Sequence, residues 1–321
     1  MSHHLVLGAG GVGRTTTAAL VAAGHTVTLA SRSGRVTERP WHDAHPDAVE
    51  VVAADAADAS RLTALAHGAA SIVNAVNPPS YTTWDTDWPP VAAATLAAAE
   101  ATGAGLVIIG NLYGYGRVEG PMKEDDPMHP AGHKGALRAD MWTEALARHE
   151  AGRIRVTELR SSDYFGPGTT PRTSYLNDVV IDALLAGRAP LVPAGRPDVP
   201  HSWTYVPDVG ALAARVATSD PGGDAWGRAW HVPTSAPRTF DEAARDVARL
   251  AGVKARTVRV LPRPLGTAAG LVVPFMRELR ETRHQFERPF VLDTTLTERT
   301  FGLAPTPWDD ALAVTIAARR R

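Results

Sequence analysis

The sequence predicts an α/β protein built on a doubly wound parallel sheet, with a smaller, mostly C-terminal lid. Short apolar runs alternate with stretches of helical periodicity through the first half, which is the pattern of parallel βαβ units. A glycine-rich turn joins the first apolar run to the first helical stretch. Beyond Arg160 the alternation breaks into shorter elements punctuated by Gly166-Pro167 and by Pro197 to Pro200. A length of 321 residues suits about two domains. The expected division is 1–165, with 201–232 returning to it, against a lid of 166–200 and 233–321.

The elements follow in order. His4 to Leu7 is the first strand, and helical periodicity runs from Val12 to Ala23, where Gly24 stops it. Thr26 to Ala30, Val49 to Val52 and Ser71 to Asn74 read as strands, with a short helix near Ser60 to His67. An alanine-rich helix around Pro90 to Ala101 leads to a fifth strand, Leu106 to Ile109. A helix near Gly132 to His149 and a sixth strand, Ile154 to Thr157, complete the first half. Helices near Ser174 to Ala186, Pro207 to Ala217 and Phe240 to Leu250 belong to the second, where a lid would cover the carboxyl ends of the strands.

Composition excludes several functions. With no cysteine there is no disulfide scaffold, thiolate nucleophile, zinc ribbon or iron–sulfur site. Lys+Arg of 33 against Asp+Glu of 34 leaves no electrostatic footprint for nucleic acid or an anionic membrane. No run approaches the 18 or so apolar residues of a membrane span. The opening Met-Ser-His-His leads directly into a strand without the features of a signal peptide, so the expected location is cytoplasmic. His129 and His133 beside three acids suggest a metal, but Pro130 breaks the helix that would align them. No metal is expected.

Gly8-Ala9-Gly10-Gly11-Val12-Gly13 fits G-x-G-x-x-G between a strand and a helix, the dinucleotide-binding turn of a Rossmann unit. Gly8 permits the tight turn, Gly10 lets backbone approach a pyrophosphate, and Gly13 lets helix and strand pack closely. Gly11, Val12 and the helix start supply N–H groups and a positive dipole end to the phosphates. About 20 residues on, an acid would hold the ribose hydroxyls of NAD. Here Ala30-Ser31-Arg32-Ser33 carries none, and Arg14 follows the turn. Arginine suits a 2′-phosphate, so NADP(H) is favoured over NAD(H).

Further residues resemble the extended short-chain dehydrogenase/reductase family, the group of NAD-dependent epimerases and dehydratases. Asp55 stands where that family places an acid beside the adenine, and Ala75 matches the alanine closing the fourth strand. Tyr115-Gly116, Phe165-Gly166-Pro167-Gly168, Tyr205-Val206-Pro207-Asp208-Val209 and Leu303-Ala304-Pro305-Thr306-Pro307 match further family segments. The family's catalytic Y-x-x-x-K does not survive. Its pattern falls on Pro130 to Arg138, so that Lys134 takes the tyrosine position and Arg138 the lysine position. The family's Ser/Thr after the fifth strand falls on Asn111. Asp163 replaces an asparagine that helps hold a sugar nucleotide, and His201 replaces a diphosphate-binding arginine. A carboxylate facing a diphosphate would repel it, so the substrate is not expected to be a nucleotide sugar.

A hydride transfer needs a proton donor and something to stabilise negative charge. Lys134 and Arg138, at i and i+4, are expected to face one site. Tyr113 offers a phenol, Asn111 an amide, and Tyr164, Asp163 and His201 further contacts to substrate. Trp84 is an aromatic of the loops that either lines an apolar substrate pocket or caps the core. The leading expectation is an NADP(H)-dependent oxidoreductase of a small, largely apolar carbonyl or enone compound, with a rearranged donor set. The alternatives are an epimerase or isomerase with tightly bound cofactor, a non-enzymatic NADP(H) sensor, or a fold turned to a non-redox step. The resemblance further implies a homodimer formed through the helices near Pro90 to Ala101 and Gly132 to His149.

Overall fold

The computed structural model describes residues 1–78, 80–169, 173–262 and 281–320. The chain divides into two units. The first comprises Met1–Asn111, Leu137–Arg160 and Val209–Val232, and the second Leu112–Ala136, Ser161–Asp208 and Pro233–Arg321.

The first unit is a seven-stranded sheet with helices. Its strands are β1 (His3–Leu7), β2 (Thr26–Ser31), β3 (Val49–Ala53), β4 (Ser71–Asn74), β5 (Gly105–Asn111), β6 (Val156–Ser161) and β10 (Arg228–His231), in the order β10-β6-β5-β4-β1-β2-β3. β1 lies parallel between β2 and β4, with Val6 opposite both Leu29 and Val73. The central strands are apolar runs rather than alternating ones, because helices cover both faces of such a sheet. Leu5, Val6, Leu29, Ile72, Val73, Leu106 and Val107 are all fully buried. The order reverses beside β1, the switch point at which open α/β sheets bind ligands. Around the sheet run α1 (Gly11–Ala22), α2 (Ala59–Ala66), α3 (Trp84–Thr102) and much of α4 (His133–Glu150) and α6 (Val206–Ala217).

Two elements depart from expectation. β6 lies at Val156–Ser161 rather than Ile154 to Thr157. Its buried stretch contains Glu158 and Arg160, which bond each other at 2.7 Å and so tolerate the interior; in sequence two charges disguise the strand. α3 begins at Trp84, six residues before Pro90, and contains Pro89 and Pro90. Both prolines are exposed, so the carbonyls they leave without donors face water. On the opposite face Trp84 and Trp88 are buried at i and i+4 and meet edge to face at 5.9 Å. Trp84 is therefore a helix residue, not a loop residue.

The second unit is assembled from small pieces. β7 (Asp163–Phe165) pairs parallel with β9 (Trp203–Tyr205), and β8 (Leu191–Val192) with β11 (Arg259–Val260). The expected helix at Ser174 to Ala186 is a wider turn, Tyr175–Ile181, running into α5 (Asp182–Leu185). α7 (Phe240–Ala251) carries a full capping box: Glu242 N–H donates to Thr239 Oγ1 at 3.0 Å and Thr239 N–H to Glu242 Oε2 at 2.8 Å. α8 (His284–Glu287), α9 (Thr295–Phe301) and α10 (Trp308–Arg319) complete it. Phe165, Trp203, Phe240, Val247 and Leu312 form its core. The two late segments that carry the family resemblance meet here, as Thr306 donates to Asp208 through Oγ1 at 2.6 Å and N–H at 3.0 Å. Burial raises the Asp208 carboxyl above its ordinary value against those bonds.

Candidate functional site

In the first unit the glycine turn is shaped by its own backbone at two positions and left open at a third. Gly8 has φ +96°, and a Cβ there would lie 2.7 Å from the Ala75 carbonyl oxygen. A Cβ at Gly13 would overlap the Gly8 carbonyl oxygen. Both glycines are therefore required for the chain to close the turn. At Gly10 a Cβ would meet nothing within 4 Å, so the protein alone does not demand a glycine there. Gly10 is also the N-cap of α1, with no side-chain cap and no acid in the first turn. The positive end of α1, through Gly11, Val12 and Gly13, is thus free of the carboxylates that elsewhere neutralise helix starts. Open space at Gly10 above an uncapped helix fits a dinucleotide pyrophosphate.

Around that turn, Gly8 N–H bonds the Ala30 carbonyl at 2.8 Å and Ala75 N–H the Leu7 carbonyl at 2.9 Å, which places the ends of β2 and β4 beside it. Arg32 follows β2, is exposed, and has no side-chain partner among the described residues. Arg14 does have partners: it donates to Thr37 Oγ1 at 3.1 Å and pairs with exposed Glu38 at 3.0 Å. Asp55 accepts from Ala57 N–H at 2.9 Å.

Asn111 closes β5, and behind it lies a buried charge network. Arg138 donates to the Ile109 carbonyl at 3.0 Å, stands 3.8 Å from Glu158 Oε1, and lies over the Trp88 ring at 4.2 Å. Glu158 is shared with Arg160. Gly110 makes room for it, since a Cβ there would fall 2.6 Å from Glu158 Cγ. A small cavity bordered by Asn74, Arg138 and Glu158 adjoins this network.

In the second unit, Tyr113 opens a short turn, Tyr113–Tyr115. A Cβ at Gly135 would sit 2.5 Å from the Tyr113 carbonyl oxygen, so that glycine brings the first turn of α4 against the Tyr113 segment. One residue earlier, Lys134 is buried, with its Nζ 3.8 Å from Glu281 Oε1 and its N–H bonded to Glu281 Oε2 at 3.0 Å. Glu281 thus receives both the ammonium and a free N–H of the helix start. Lys134 and Arg138 are each paired with a carboxylate, Glu281 and Glu158 respectively. Sequence reasoning misses both Glu281 and Glu158 as partners, because nothing local marks contacts between residues 147 and 20 positions apart.

Asp163 and His201 come together at the β7–β9 pair. His201 Nε2 lies 2.8 Å from Asp163 Oδ2, and Nδ1 lies 3.1 Å from the Gln285 carbonyl oxygen. The ring stacks on Phe286 at 4.8 Å and Phe290 at 5.4 Å, against Trp203 at 4.4 Å. His201 is 2 % exposed and Asp163 20 %, so the carboxylate is the member open to a ligand. Tyr164 follows on β7, and its carbonyl accepts from Ser174 Oγ at 2.6 Å. Among the described residues no group of His, Asp or Glu is placed to hold a metal ion, and no helix is long and apolar enough to cross a membrane.

The candidate residues therefore fall into two sets. Those for cofactor lie in the first unit with Asn111, Arg138 and Trp84; Tyr113, Lys134, Asp163, Tyr164 and His201 lie in the second.

Comparison with known proteins agrees with this fold. The dehydratase DesIV (dTDP-glucose 4,6-dehydratase) from Streptomyces venezuelae, solved with NAD and TYD bound, is 20% identical with a TM-score of 0.78 over 99% of this chain and 97% of its own. MoeE5, solved with UDP-glucose and NAD, matches at 20% identity and TM-score 0.78 over 99% of both chains. UDP-glucose 4-epimerase from Thermus thermophilus, in complex with NAD, matches at 19% and 0.74, again over 99% of both. No curated protein matches the chain in sequence. The model of the NAD dependent epimerase/dehydratase family matches residues 4–227, from the first strand almost to β10. With that pattern running unbroken through the glycine turn and the central strands, the chain belongs to the NAD-dependent epimerase/dehydratase family.

Proposed function

We propose that this protein is an NADP(H)-dependent oxidoreductase whose substrate is a small carbonyl or enone compound rather than a nucleotide sugar. The observation that carries the cofactor is the open Gly10 position at an uncapped helix start, followed by an unpartnered Arg32 at the end of β2. Gly8 to Gly13 would hold the pyrophosphate and Ala75 and Asp55 the adenosine side. Glu38 already neutralises Arg14, so Arg32 rather than Arg14 is offered to a 2′-phosphate. When bound, the dinucleotide supplies hydride transfer.

The chain's own residues supply the rest. Lys134, buried and held by Glu281, donates a proton to the substrate oxygen or stabilises its negative charge. Tyr113, whose segment Gly135 packs against α4, is the second donor. Arg138 acts by position, holding the Ile109 carbonyl and so the Asn111 end of β5. Asp163, oriented by His201, accepts from a substrate hydroxyl, and its carboxylate disfavours a phosphate. Tyr164 offers a further contact to substrate.

The test is a calorimetric titration with NADPH and NADH, followed by turnover on a carbonyl and enone panel. NADPH is expected to bind far tighter than NADH, Arg32→Ala to remove that preference, and Lys134→Ala to abolish turnover while sparing NADPH affinity. Binding of neither dinucleotide would overturn the proposal. The family match favours a second reading, isomerisation in which cofactor is reduced and reoxidised within one cycle. It predicts dinucleotide that survives purification and no net NADPH consumption. Dinucleotide binding with no turnover of either kind, but with altered binding of a partner protein, would point instead to a sensor.

A further inference from the structure

The second unit carries a groove that the proposed chemistry does not use. Arg188, in the turn after α5, and Arg256 and Arg259, approaching and entering β11, line a concavity of about 520 Å³ with Gly187, Ala189 and Thr257. Their backbones are tied together. Arg188 N–H bonds the Ala183 carbonyl at 2.8 Å, Arg259 N–H bonds the Pro190 carbonyl at 2.8 Å, and Arg259 lies opposite Leu191 in the β8–β11 pair. Arg188 and Arg259 are thus carried on hydrogen-bonded backbone, with Arg256 three residues before β11.

No carboxylate lines the groove, and none of the three arginines pairs with a described residue. By contrast, Arg14, Arg160, Arg249 and Arg319 each bond an acid. In a protein of net charge -1, three uncompensated guanidinium groups in one concavity focus a positive potential there. The volume is in the range of a small-molecule site. Planar guanidinium forks match phosphate oxygens. No aromatic ring or side-chain amide lines the groove, so nothing there would stack on or read a nucleobase.

We propose that this groove binds a small anion carrying at least two phosphoryl groups, either free pyrophosphate or the diphosphate of a nucleotide. It lies in the unit that does not contain the glycine turn, and the proposal does not rest on the function proposed above.

The experiment is calorimetric titration of inorganic pyrophosphate into the full chain, with and without saturating NADPH, and into Arg256→Ala, Arg259→Ala and the double variant. Pyrophosphate binding is expected to persist under saturating NADPH and to weaken about tenfold in each single variant. It should vanish in the double variant, whose NADPH titration stays unchanged. ADP and UDP should bind this groove as well as pyrophosphate does, since only the diphosphate is recognised. Three results would overturn the proposal: no binding under saturating NADPH, binding indifferent to the double substitution, or a nucleoside diphosphate binding the groove far more tightly than pyrophosphate. If NADPH itself fails to bind, the oxidoreductase proposal falls, and loss of pyrophosphate binding in the double variant still decides the groove.

Discussion

His4 makes the first unit acid-sensitive. Its ring is fully buried in β1, with Nδ1 2.8 Å from Ser71 Oγ and Nε2 3.2 Å from Ser2 Oγ. The His25 ring meets it edge to face at 5.0 Å. Burial first, then the nearby His25 and His3, lower its pKa from 6.5 to about 4. The unfolded chain therefore binds a proton that the folded chain resists. Stability from this site is fully present above pH 6.5 and is lost as pH falls towards 4. A gap of 6.5 − 4, or 2.5 pKa units, corresponds to about 3 kcal/mol at roughly 1.4 kcal/mol per unit. His4→Asn keeps a polar group towards Ser71 but cannot titrate. Urea unfolding of both proteins at about pH 7 and pH 4.5 isolates the effect, because other groups cancel in the comparison. Wild type should lose about 2.5 kcal/mol more than the variant between those pH values. Equal losses would refute the assignment of acid sensitivity to His4.

Other outcomes follow from the same geometry. Gly10→Ala should leave the melting temperature unchanged yet weaken NADPH binding about tenfold or more, whereas Gly13→Ala should lower the melting temperature as well, because its Cβ overlaps Gly8. Glu158→Gln strands Arg138 and Arg160 without a carboxylate in the interior and should cost about 3–5 kcal/mol in denaturant unfolding. Glu281→Gln should cost about 0.5–1 kcal/mol through the start of α4. In steady-state assays it should lower turnover with NADPH affinity unchanged.

What is legible in sequence and what is not divides along physical lines. The apolar runs of β1, β4 and β5 and the strand–turn–helix around Gly8 to Gly13 can be read because burial and turn geometry leave local signatures. β6 lies away from its expected position because its interior charges are satisfied by each other and by Arg138, partners that no local pattern reveals. The start of α3 escapes a sequence reading because Pro89 and Pro90 argue against a helix, while the Trp84 and Trp88 packing that overrides them is tertiary. At the candidate site the residue types are in view, but their partners are not. In sequence Lys134 is half of a two-cation pair, and only the fold gives its ammonium to Glu281; Asp163 and His201 become a unit only when β7 and β9 pair.

The bond from Glu281 to Lys134 also sets an order of assembly. Every residue of the first unit has been synthesised once Val232 leaves the ribosome, and N-terminal domains generally begin to fold while translation continues. Lys134 is made early but waits for its carboxylate until residue 281. During synthesis the nascent chain therefore passes through a stage in which every residue of the glycine-turn unit exists and the lysine's carboxylate partner Glu281 does not.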